Sequence, residues 1–307
     1  MVEGQEGVSW DEWAALGRAC EEGGLEGLFR SDHYQSVFDQ TGRGSLDAWA
    51  TISALAAVTG RIRLGTMVSP ASFRRPSILA RMVTTADHVS GGRVELGLGA
   101  GWNLGEHEAH GFPFPDLAER MEILEEQLEI VHRQWTEDEF SFEGRHYCLE
   151  HCRAEPKPVQ KPHPPLVMGG QAGPMAARLA ARWADEYNTP FATVEDCRVR
   201  RARIAEACER EGREPIVFSL MVPCCVGRDR AEALERVANR LHRAGSDDDP
   251  AGQLGAEGRL FGTVDDVLEG LAAYRDAGVE RVFLQHLDHA DLDMVSLIGE
   301  KIVPALA

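Results

Sequence analysis

Apolar and polar stretches alternate along the chain in a pattern that predicts strand followed by helix, repeated. Short apolar runs bounded by glycine or polar residues predict strands, and the longer amphipathic stretches between them predict helices. The predicted strands begin at Gly27, Arg61, Val94, Pro165, Asp185, Ile216 and Arg281. The clearest helix covers 117–135, where apolar residues recur at spacings of three and four and share one face. Strands that alternate with helices favour a parallel sheet.

Seven predicted strands are one short of a (β/α)8 TIM barrel. The missing strand would precede the first helix, which is predicted to start near Ser9 with Glu12 completing a capping box. Only Met1–Gly7 comes before that helix, so we expect a truncated first strand: a stub, or a strand whose beginning was lost through a start codon assigned too late. An open doubly wound sheet is the competing fold. The first strand is not followed by a GxGxxG motif, which argues against a doubly wound sheet that binds a dinucleotide.

Two segments depart from the strand–helix rhythm. Residues 140–165 predict an insertion, made of a short hairpin followed by a proline-rich connector. Residues 245–258 (GSDDDPAGQLGAEG) predict a flexible loop. We expect one α/β domain over 1–307, a barrel that carries this insertion.

Composition narrows the class of protein. The 307 residues include 32 basic and 50 acidic side chains, for a formal charge of −18, which argues against binding to nucleic acid or to an anionic membrane surface. Only Lys157, Lys161 and Lys301 are lysines, an arginine bias that fits GC-rich codon usage. The 7 cysteines suggest no disulfide framework, and the sequence shows neither a signal peptide nor a membrane span, so we expect a cytoplasmic protein.

Polar residues and glycines cluster where the predicted strands end. In a parallel barrel the active site lies at the carboxyl ends of the strands. The strand ends read Ser31-Asp32-His33, Met67-Val68-Ser69-Pro70, Gly99-Ala100-Gly101-Trp102-Asn103, Gly169-Gly170-Gln171, Asn188 and Gln285-His286. These residues therefore form the candidate site.

The pair Asp32-His33 has two functional interpretations and one structural one. It can act as a general acid/base pair, since histidine titrates near neutral pH and a carboxylate can orient it, or as a clamp on a cofactor. A turn that starts a helix would also favour Asp. The glycines at 97, 99 and 101, and those at 169 and 170, allow close approach of a ring or a phosphate, although each group alone also fits a tight turn.

Other reactive side chains carry weaker signals. The segment His146–Cys152 (HYCLEHC) lacks the regular spacing of a zinc site, and we predict no metal there. Cys224-Cys225 lies in an apolar strand and is predicted to be core. His107 and His110 fit either a pocket wall or a solvated loop. Arg74-Arg75 fits either a contact with an anionic cofactor tail or a solvated turn.

Longer segments carry a family pattern over nearly the whole chain. They are GLEGLFRSDHY at 24–34, GRIRLGTMVSPASFRRP at 60–76, SGGRVELGLGAGWNLGEHEAHGFPFP at 90–115, ERMEILEEQLEIV at 119–131, FSFEGRHYCLE at 140–150, KPVQKPHPPLVMGG at 157–170, ARLAARWADEYN at 177–188 and GVERVFLQHLDHADLDM at 278–294. With these segments the sequence resembles the luciferase-like monooxygenase superfamily, and within it the branch of oxidoreductases that use the 5-deazaflavin coenzyme F420.

The resemblance implies a (β/α)8 barrel with an insertion and a set of site residues. It implies a non-prolyl cis peptide at Met67–Val68, whose bulge would back the central ring of the cofactor. Residues Gly99–Asn103 and Gly169–Gly173, which include Ala172, would hold the side chain and phosphate of the cofactor. Asp32 and His33 would lie beside the ring, with His33 as the group that transfers a proton. The family also suggests a homodimer.

Two departures from the family pattern bear on the substrate. Sugar-phosphate dehydrogenases of this family have a glutamate after the glycines of the fourth strand, where this chain has Trp102. They also have a tryptophan shortly after the SDH motif, where this chain has Val37. Oxidation of a sugar phosphate is therefore not expected.

Three functions remain open on the sequence. The preferred one is an F420-dependent oxidoreductase that moves a hydride between C5 of the deazaflavin and a small organic substrate, and the arginine bias agrees with actinobacteria, which are rich in F420. The second is an FMN-dependent monooxygenase supplied with reduced flavin by a partner reductase. The third is a barrel that binds a ligand without catalysis, which the truncated first strand suggests.

Overall fold

The computed structural model describes residues 1–38, 40 and 42–306, and its centre is a parallel sheet. A separate two-stranded antiparallel hairpin, β5 with β6, lies in the insertion. The strands are β1 (Gly27–Arg30), β2 (Arg63–Thr66), β3 (Ser69–Pro70), β4 (Val94–Gly99), β5 (Glu139–Glu143), β6 (Cys148–Arg153), β7 (Leu166–Gly169), β8 (Glu186–Pro190), β9 (Val217–Gly227), β10 (Leu260–Thr263) and β11 (Arg281–Gln285).

The central strands follow the order β1-β2-β4-β7-β8-β9, and all their pairings are parallel. Strand β9 pairs through Ser219–Met221 with both β8 and β11, so these two strands lie on opposite sides of it. Its end, Cys224–Gly227, pairs with β10. The short strand β3 pairs with the end of β4.

The amino-terminal residues close this sheet. Val2 forms parallel bridges with Arg30, at the end of β1, and with His286, just after β11. The Val2 N–H donates to the Phe29 carbonyl at 2.9 Å, and the His286 N–H donates to the Met1 carbonyl at 2.8 Å. Met1–Val2 thus links the two edges of the sheet at the position where the first strand is expected.

Helices cover the outside of the barrel and follow the strands as the sequence predicts. They are α1 (Trp10–Glu22), α2 (Ala48–Val58), α3 (Pro76–Ser90), α4 (Leu104–His110), α5 (Leu117–Thr136), α6 (Pro174–Trp183), α7 (Val194–Arg210), α8 (Arg230–Ala244), α9 (Pro250–Gln253), α10 (Val264–Asp276), α11 (Leu292–Leu297) and α12 (Val303–Leu306), with a π-helical stretch at Ile298–Ile302 between the last two.

Local signals in the sequence set several helix boundaries. The predicted capping boxes are present, since Ser9 and Glu12 bond reciprocally at the start of α1 and Thr263 and Asp266 do so at α10. Four elements differ from the expectation, since β3 is separate from the strand that was predicted to begin at Arg61. Helix α4 and strand β10 were not predicted, because each is short and flanked by glycine, and α9 adds one helical turn inside the segment 245–258.

The main core lies between the sheet and the helices, and a smaller cluster fills the barrel interior. The interior cluster contains Phe29, Met67, Val167, Met221 and Phe283. Burial of such side chains is the main favourable contribution to folding, at roughly 25 cal/mol per Å² of apolar surface. In the part of the chain that the structure describes, no helix combines the length and apolar character needed to cross a bilayer.

Candidate active site

The loop after β1 is held in place by the carboxylate of Asp32, which is 1% exposed. Both of its oxygens accept hydrogen bonds from Arg74, at 2.5 and 3.2 Å, and the Ser69 hydroxyl donates to it at 2.6 Å. Arg74 also donates to Asp47 at 2.8 Å. Because a buried carboxylate requires a paired cation and full hydrogen bonding, these contacts join the ends of β1 and β3 to the start of α2.

These contacts bear on the roles expected of Asp32 and of the basic pair Arg74-Arg75. The Asp32 oxygens are engaged within the protein, so Asp32 fixes the loop that carries His33. Arg74 is bound by Asp32 and Asp47 with only 8% of its side chain exposed, and it is not free to meet an anionic cofactor tail. Arg75 is exposed at the N-cap of α3.

His33 meets a buried carboxylate from a different strand end. Its Nδ1 atom lies 2.6 Å from Oε2 of Glu106, a residue in the first turn of α4 with no exposed surface. The other oxygen, Oε1, accepts from the N–H of Tyr34 and from that of Gln35, the latter at 3.4 Å. Since a carboxylate can only accept, Nδ1 of His33 carries a hydrogen. Its Nε2 makes no hydrogen bond within the described residues.

The contact shifts both groups toward their charged forms. Burial lowers the pKa of His33, but the hydrogen bond to Glu106 and the charges of Glu106, Glu3 and Asp32 outweigh burial and raise the pKa above its ordinary value. Burial raises the pKa of Glu106, but the hydrogen bond and charge of His33, with the N–H groups of Tyr34 and Gln35, bring it below its ordinary value. Each group of the pair therefore favours the charged form of the other.

Sequence reasoning did not select Glu106, although a signal for it exists. Asn103 and Glu106 have the spacing of a capping box at the start of α4. Half of the box forms, because the Asn103 side chain accepts from the Glu106 N–H at 3.3 Å. The Glu106 carboxylate turns to His33 instead of back to the Asn103 backbone. A helix N-terminus also favours a negative charge, which suits an ionised Glu106.

The peptide bond Met67–Val68 is cis, which confirms the expectation from the family resemblance. The Val68 side chain lies against three glycines of neighbouring strands. A methyl group at Gly99 would approach Val68 Cγ2 to 2.8 Å, and one at Gly169 would approach Cγ1 to 3.3 Å. At Gly97 the distance to Cγ1 would be 3.0 Å. The glycines thus make room for the bulge at Val68, and Met67 packs into the interior cluster.

The residues after β4 include Trp102, which lies beside His33. Gly101 has a positive φ of 79°, which a glycine adopts without strain. Trp102 is 64% exposed, and its ring lies edge-on to His33 with the centroids 5.6 Å apart. Ala100 packs on the core, and Asn103 caps α4. Of these residues only Trp102 presents a large exposed surface beside the imidazole.

The segment after β7 leaves backbone donors free at a helix N-terminus. Gly170 donates to the Asn188 carbonyl at 3.0 Å, and Ala172 donates to the Tyr187 hydroxyl at 2.8 Å. The N–H groups of Gln171 and Gly173 have no acceptor within the described residues. Gly173 is the N-cap of α6 and supplies no side-chain cap, and Pro174 follows it. Free N–H groups at the positive end of a helix form a seat for an anion.

The remaining candidates take structural positions. His107 is buried, with Nδ1 2.6 Å from the Asn103 carbonyl and Nε2 2.6 Å from the Ser72 hydroxyl, whereas His110 is exposed. Cys224 and Cys225 are buried, as predicted. Cys148 is exposed on the insertion hairpin. Across the described residues, no three or more His, Cys, Asp or Glu side chains are arranged to hold a metal ion.

The sequence relatives of the chain include an uncharacterised protein and a redox enzyme. An uncharacterised protein of Mycobacterium tuberculosis is 35% identical over 191 residues, which are 57% of this chain and 66% of that protein. An F420-dependent glucose-6-phosphate dehydrogenase of Nakamurella multipartita is 27% identical over 318 residues, covering 96% of this chain and 92% of its own.

Solved structures show the same fold. The monooxygenase RslO1 from Streptomyces bottropensis has a TM-score of 0.83 at 22% identity, over 97% of this chain and 94% of its own. The coenzyme F420 dependent tetrahydromethanopterin reductase from Methanopyrus kandleri has a TM-score of 0.81 at 20% identity, over 100% and 98%. The model of the luciferase-like monooxygenase family matches residues 2–281. The chain therefore belongs to the luciferase-like monooxygenase family.

Proposed function

We propose that the protein is an F420-dependent oxidoreductase that acts on a small organic substrate. The observation that carries the proposal is the His33–Glu106 pair, in which Nδ1 of His33 lies 2.6 Å from Oε2 of Glu106 at the carboxyl ends of the barrel strands. Family membership adds a redox cofactor, and the F420-dependent relative that aligns with 96% of this chain favours the deazaflavin over FMN. When bound, the deazaflavin supplies or accepts a hydride at C5.

The proton that accompanies hydride transfer is assigned to His33. Glu106 fixes the hydrogen on Nδ1, so Nε2 is the atom that donates a proton when the ring is charged and accepts one when it is neutral. Glu106 raises the pKa of His33 and so favours the charged imidazole, the form that donates a proton. Asp32 and Arg74 keep the loop, and with it the imidazole, in position.

The residues present fit the cofactor. Its phosphate would be held by the free N–H groups of Gln171 and Gly173 at the start of α6, with Gly169 and Gly170 allowing close approach of the chain. The bulge at Met67–Val68 would back the ring, and Gly99–Asn103 would line one side of it. Backbone donors also explain how a chain with a net charge of −18 could bind an anionic cofactor without free arginines.

The same geometry disfavours one substrate class. Trp102 stands beside His33, and Arg74 is committed to Asp32 and Asp47. A phosphate on the substrate would find an indole ring at this position instead of a charged partner. We infer that the substrate is not a sugar phosphate, unlike that of the F420-dependent relative. A homodimer and a separate reductase that restores the cofactor belong to the same proposal.

A titration separates the three functions. The purified protein is titrated with F420 and with FMN, and binding is followed by quenching of cofactor fluorescence. We expect saturable quenching of F420. Tight binding of FMN without binding of F420 would replace the proposal with the flavin-dependent monooxygenase. Absence of binding to either cofactor by the folded protein would favour the non-catalytic barrel.

A further inference from the structure

Two neighbouring arginines, Arg240 and Arg259, have no carboxylate within ion-pair distance among the described residues. Arg240, on α8, donates through Nη1 to the Gln285 carbonyl at 3.3 Å and through Nη2 to the side-chain oxygen of Gln285. Arg259, directly before β10, makes no hydrogen bond within the same part of the chain. A guanidinium has five N–H donors, so most donors of the pair are unused. Both side chains are partly exposed, and these donors can therefore meet a ligand.

The two guanidinium groups share one aromatic ring. Cζ of Arg240 lies 5.7 Å from the centroid of the Phe261 ring, and Cζ of Arg259 lies 5.8 Å from the same centroid. Burial is the main cause that lowers the pKa of Arg240, and the positive charge of Arg259 acts in the same direction. Like charges this close are unfavourable unless an anion lies between them or beside them.

The arginine pair lies at the carboxyl end of the barrel. Gln285, which binds Arg240, is the last residue of β11, and it shares a strand face with Phe283 of the barrel interior. On the other side, a methyl group at Gly258 would lie 3.7 Å from the carbonyl oxygen of Phe191, just after β8. The pair therefore lies between the ends of β8 and β11, at the same end of the barrel as His33.

The local charge indicates which anion fits. The side-chain amide of Gln285 donates to Glu3 at 2.6 Å, so one carboxylate lies on the far side of the glutamine that binds Arg240. Glu3 balances one of the two positive charges, and one remains. A carboxylate carries one negative charge and accepts two parallel N–H bonds from a guanidinium. A phosphate monoester carries about −1.5 to −2 at neutral pH, more than the charge that remains here.

We propose that Arg240 and Arg259 bind a carboxylate group of the substrate, which is therefore a small organic acid. This inference rests on the proposed function only in assigning the carboxylate to the substrate of that reaction. The site is separate from the proposed phosphate seat at Gln171 and Gly173, because that seat follows β7 and β8 lies between β7 and β9 in the sheet. The cofactor and the acid can therefore be bound together.

The experiment measures the binding of benzoate and of benzamide to the full chain by isothermal titration calorimetry at constant ionic strength. The two probes have nearly the same shape, and only benzoate carries a carboxylate. We expect saturable binding of benzoate with a Kd at least about tenfold lower than that of benzamide. Arg240→Gln and Arg259→Gln should each raise the Kd for benzoate at least about tenfold. Arg230→Gln is the matched control, since Arg230 is exposed on the same helix α8.

Two further measurements keep the result interpretable. Thermal unfolding shows which variants are folded, and Arg259→Gln carries the test alone if Arg240→Gln does not fold. The benzoate titration is then repeated with the chain saturated with F420, and the Kd for benzoate should not rise. Failure of F420 to bind in its own fluorescence titration would overturn the proposed function and leave the carboxylate site standing, because the calorimetry measures that site without cofactor.

Four results would overturn the carboxylate site. The first is an equal Kd for benzoate and benzamide, and the second is an unchanged Kd for benzoate in folded Arg259→Gln. The third is tighter binding of inorganic phosphate than of benzoate, with the same loss in the arginine variants, which would make this a phosphate site. The fourth is competition between benzoate and F420, which would place the carboxylate in the seat proposed for the cofactor.

Discussion

The two ends of this barrel solve different physical problems. At the carboxyl end, buried charges are matched with partners: Asp32 with Arg74, and Glu106 with His33. At the amino end, Arg281 pairs with Glu95 and Glu186 beside a cavity of about 580 Å³ that is lined mostly by apolar side chains. A buried charge without a partner is strongly unfavourable, so the first arrangement must be specified residue by residue. At the amino end the charges are closed in ion pairs and the cavity beside them is mostly apolar, whereas at the carboxyl end Nε2 of His33 has no hydrogen-bond partner within the described residues.

The largest expected effect comes from removing the imidazole at the carboxyl end. His33→Ala should lower the rate of F420-dependent turnover by about 10² to 10⁴, the usual contribution of a positioned acid or base. The Kd for F420 should change by less than about threefold, because the proposed phosphate seat at Gln171 and Gly173 lies on another strand end. Steady-state kinetics and the fluorescence titration measure the two quantities. His110→Ala is the matched control, since His110 is exposed. An unchanged rate in His33→Ala would remove this residue from the mechanism.

The second effect concerns stability at the same end. Asp32→Asn removes the charge that Arg74 faces in a buried pair, and we expect the free energy of unfolding to fall by about 3–5 kcal/mol. Urea denaturation measures the change. Asp47 binds the same guanidinium group of Arg74 but is 37% exposed. Asp47→Asn should therefore lower the free energy of unfolding by less than about 1 kcal/mol. Equal losses in the two variants would contradict the anchoring role of Asp32.

A third prediction tests why glycine occupies β4. A methyl group at Gly99 would come within 2.8 Å of Val68, so Gly99→Ala should destabilise the protein by about 1–3 kcal/mol. A methyl group at Gly60 would meet nothing within 4 Å, and Gly60→Ala provides the control. Thermal unfolding of both variants gives the comparison. If Gly99→Ala were as stable as Gly60→Ala, the bulge would not depend on the glycines.

The smallest effect is a dependence on pH. The raised pKa of His33 means that its stabilisation is complete below the unfolded pKa of histidine and is lost as pH rises through the folded value. The lowered pKa of Glu106 means that its stabilisation is complete above the unfolded pKa of glutamate and is lost as pH falls through the folded value. The free energy of unfolding of the wild type should therefore exceed that of Glu106→Gln by on the order of 1 kcal/mol between about pH 4.5 and 6.5.

Urea denaturation across this range, with NMR of the His33 ring, checks the sign. Glu106→Gln should lower the pKa of His33, because it removes the charge while it keeps an acceptor for Nδ1. Glu108→Gln is the control, since Glu108 is exposed on the same helix. A difference that grows toward alkaline pH would show that another group carries the dependence.

The sequence predicted the barrel because its signals are local and repeated. Apolar runs that predict strands, capping boxes and glycines that end helices each depend on a few neighbouring residues. Thr263 and Asp266, for example, form the expected capping box. The sequence also pointed to the strand ends that surround His33. It did not reveal Glu106, because the partner of that carboxylate is set by the approach of β1 and β4 across 73 positions of the chain. The binding of Arg74 to Asp32 and Asp47 is likewise a property of the folded barrel.

One measurement addresses both ends at once: amide hydrogen exchange of the full chain with and without saturating F420. If the carboxyl end binds the cofactor, exchange at Gln171 and Gly173 should slow by at least about tenfold on binding, and exchange at Phe29 and Leu284, which line the cavity at the amino end, should not change. Protection at Phe29 and Leu284 with none at Gln171 and Gly173 would place the cofactor in the cavity at the amino end and would contradict this account.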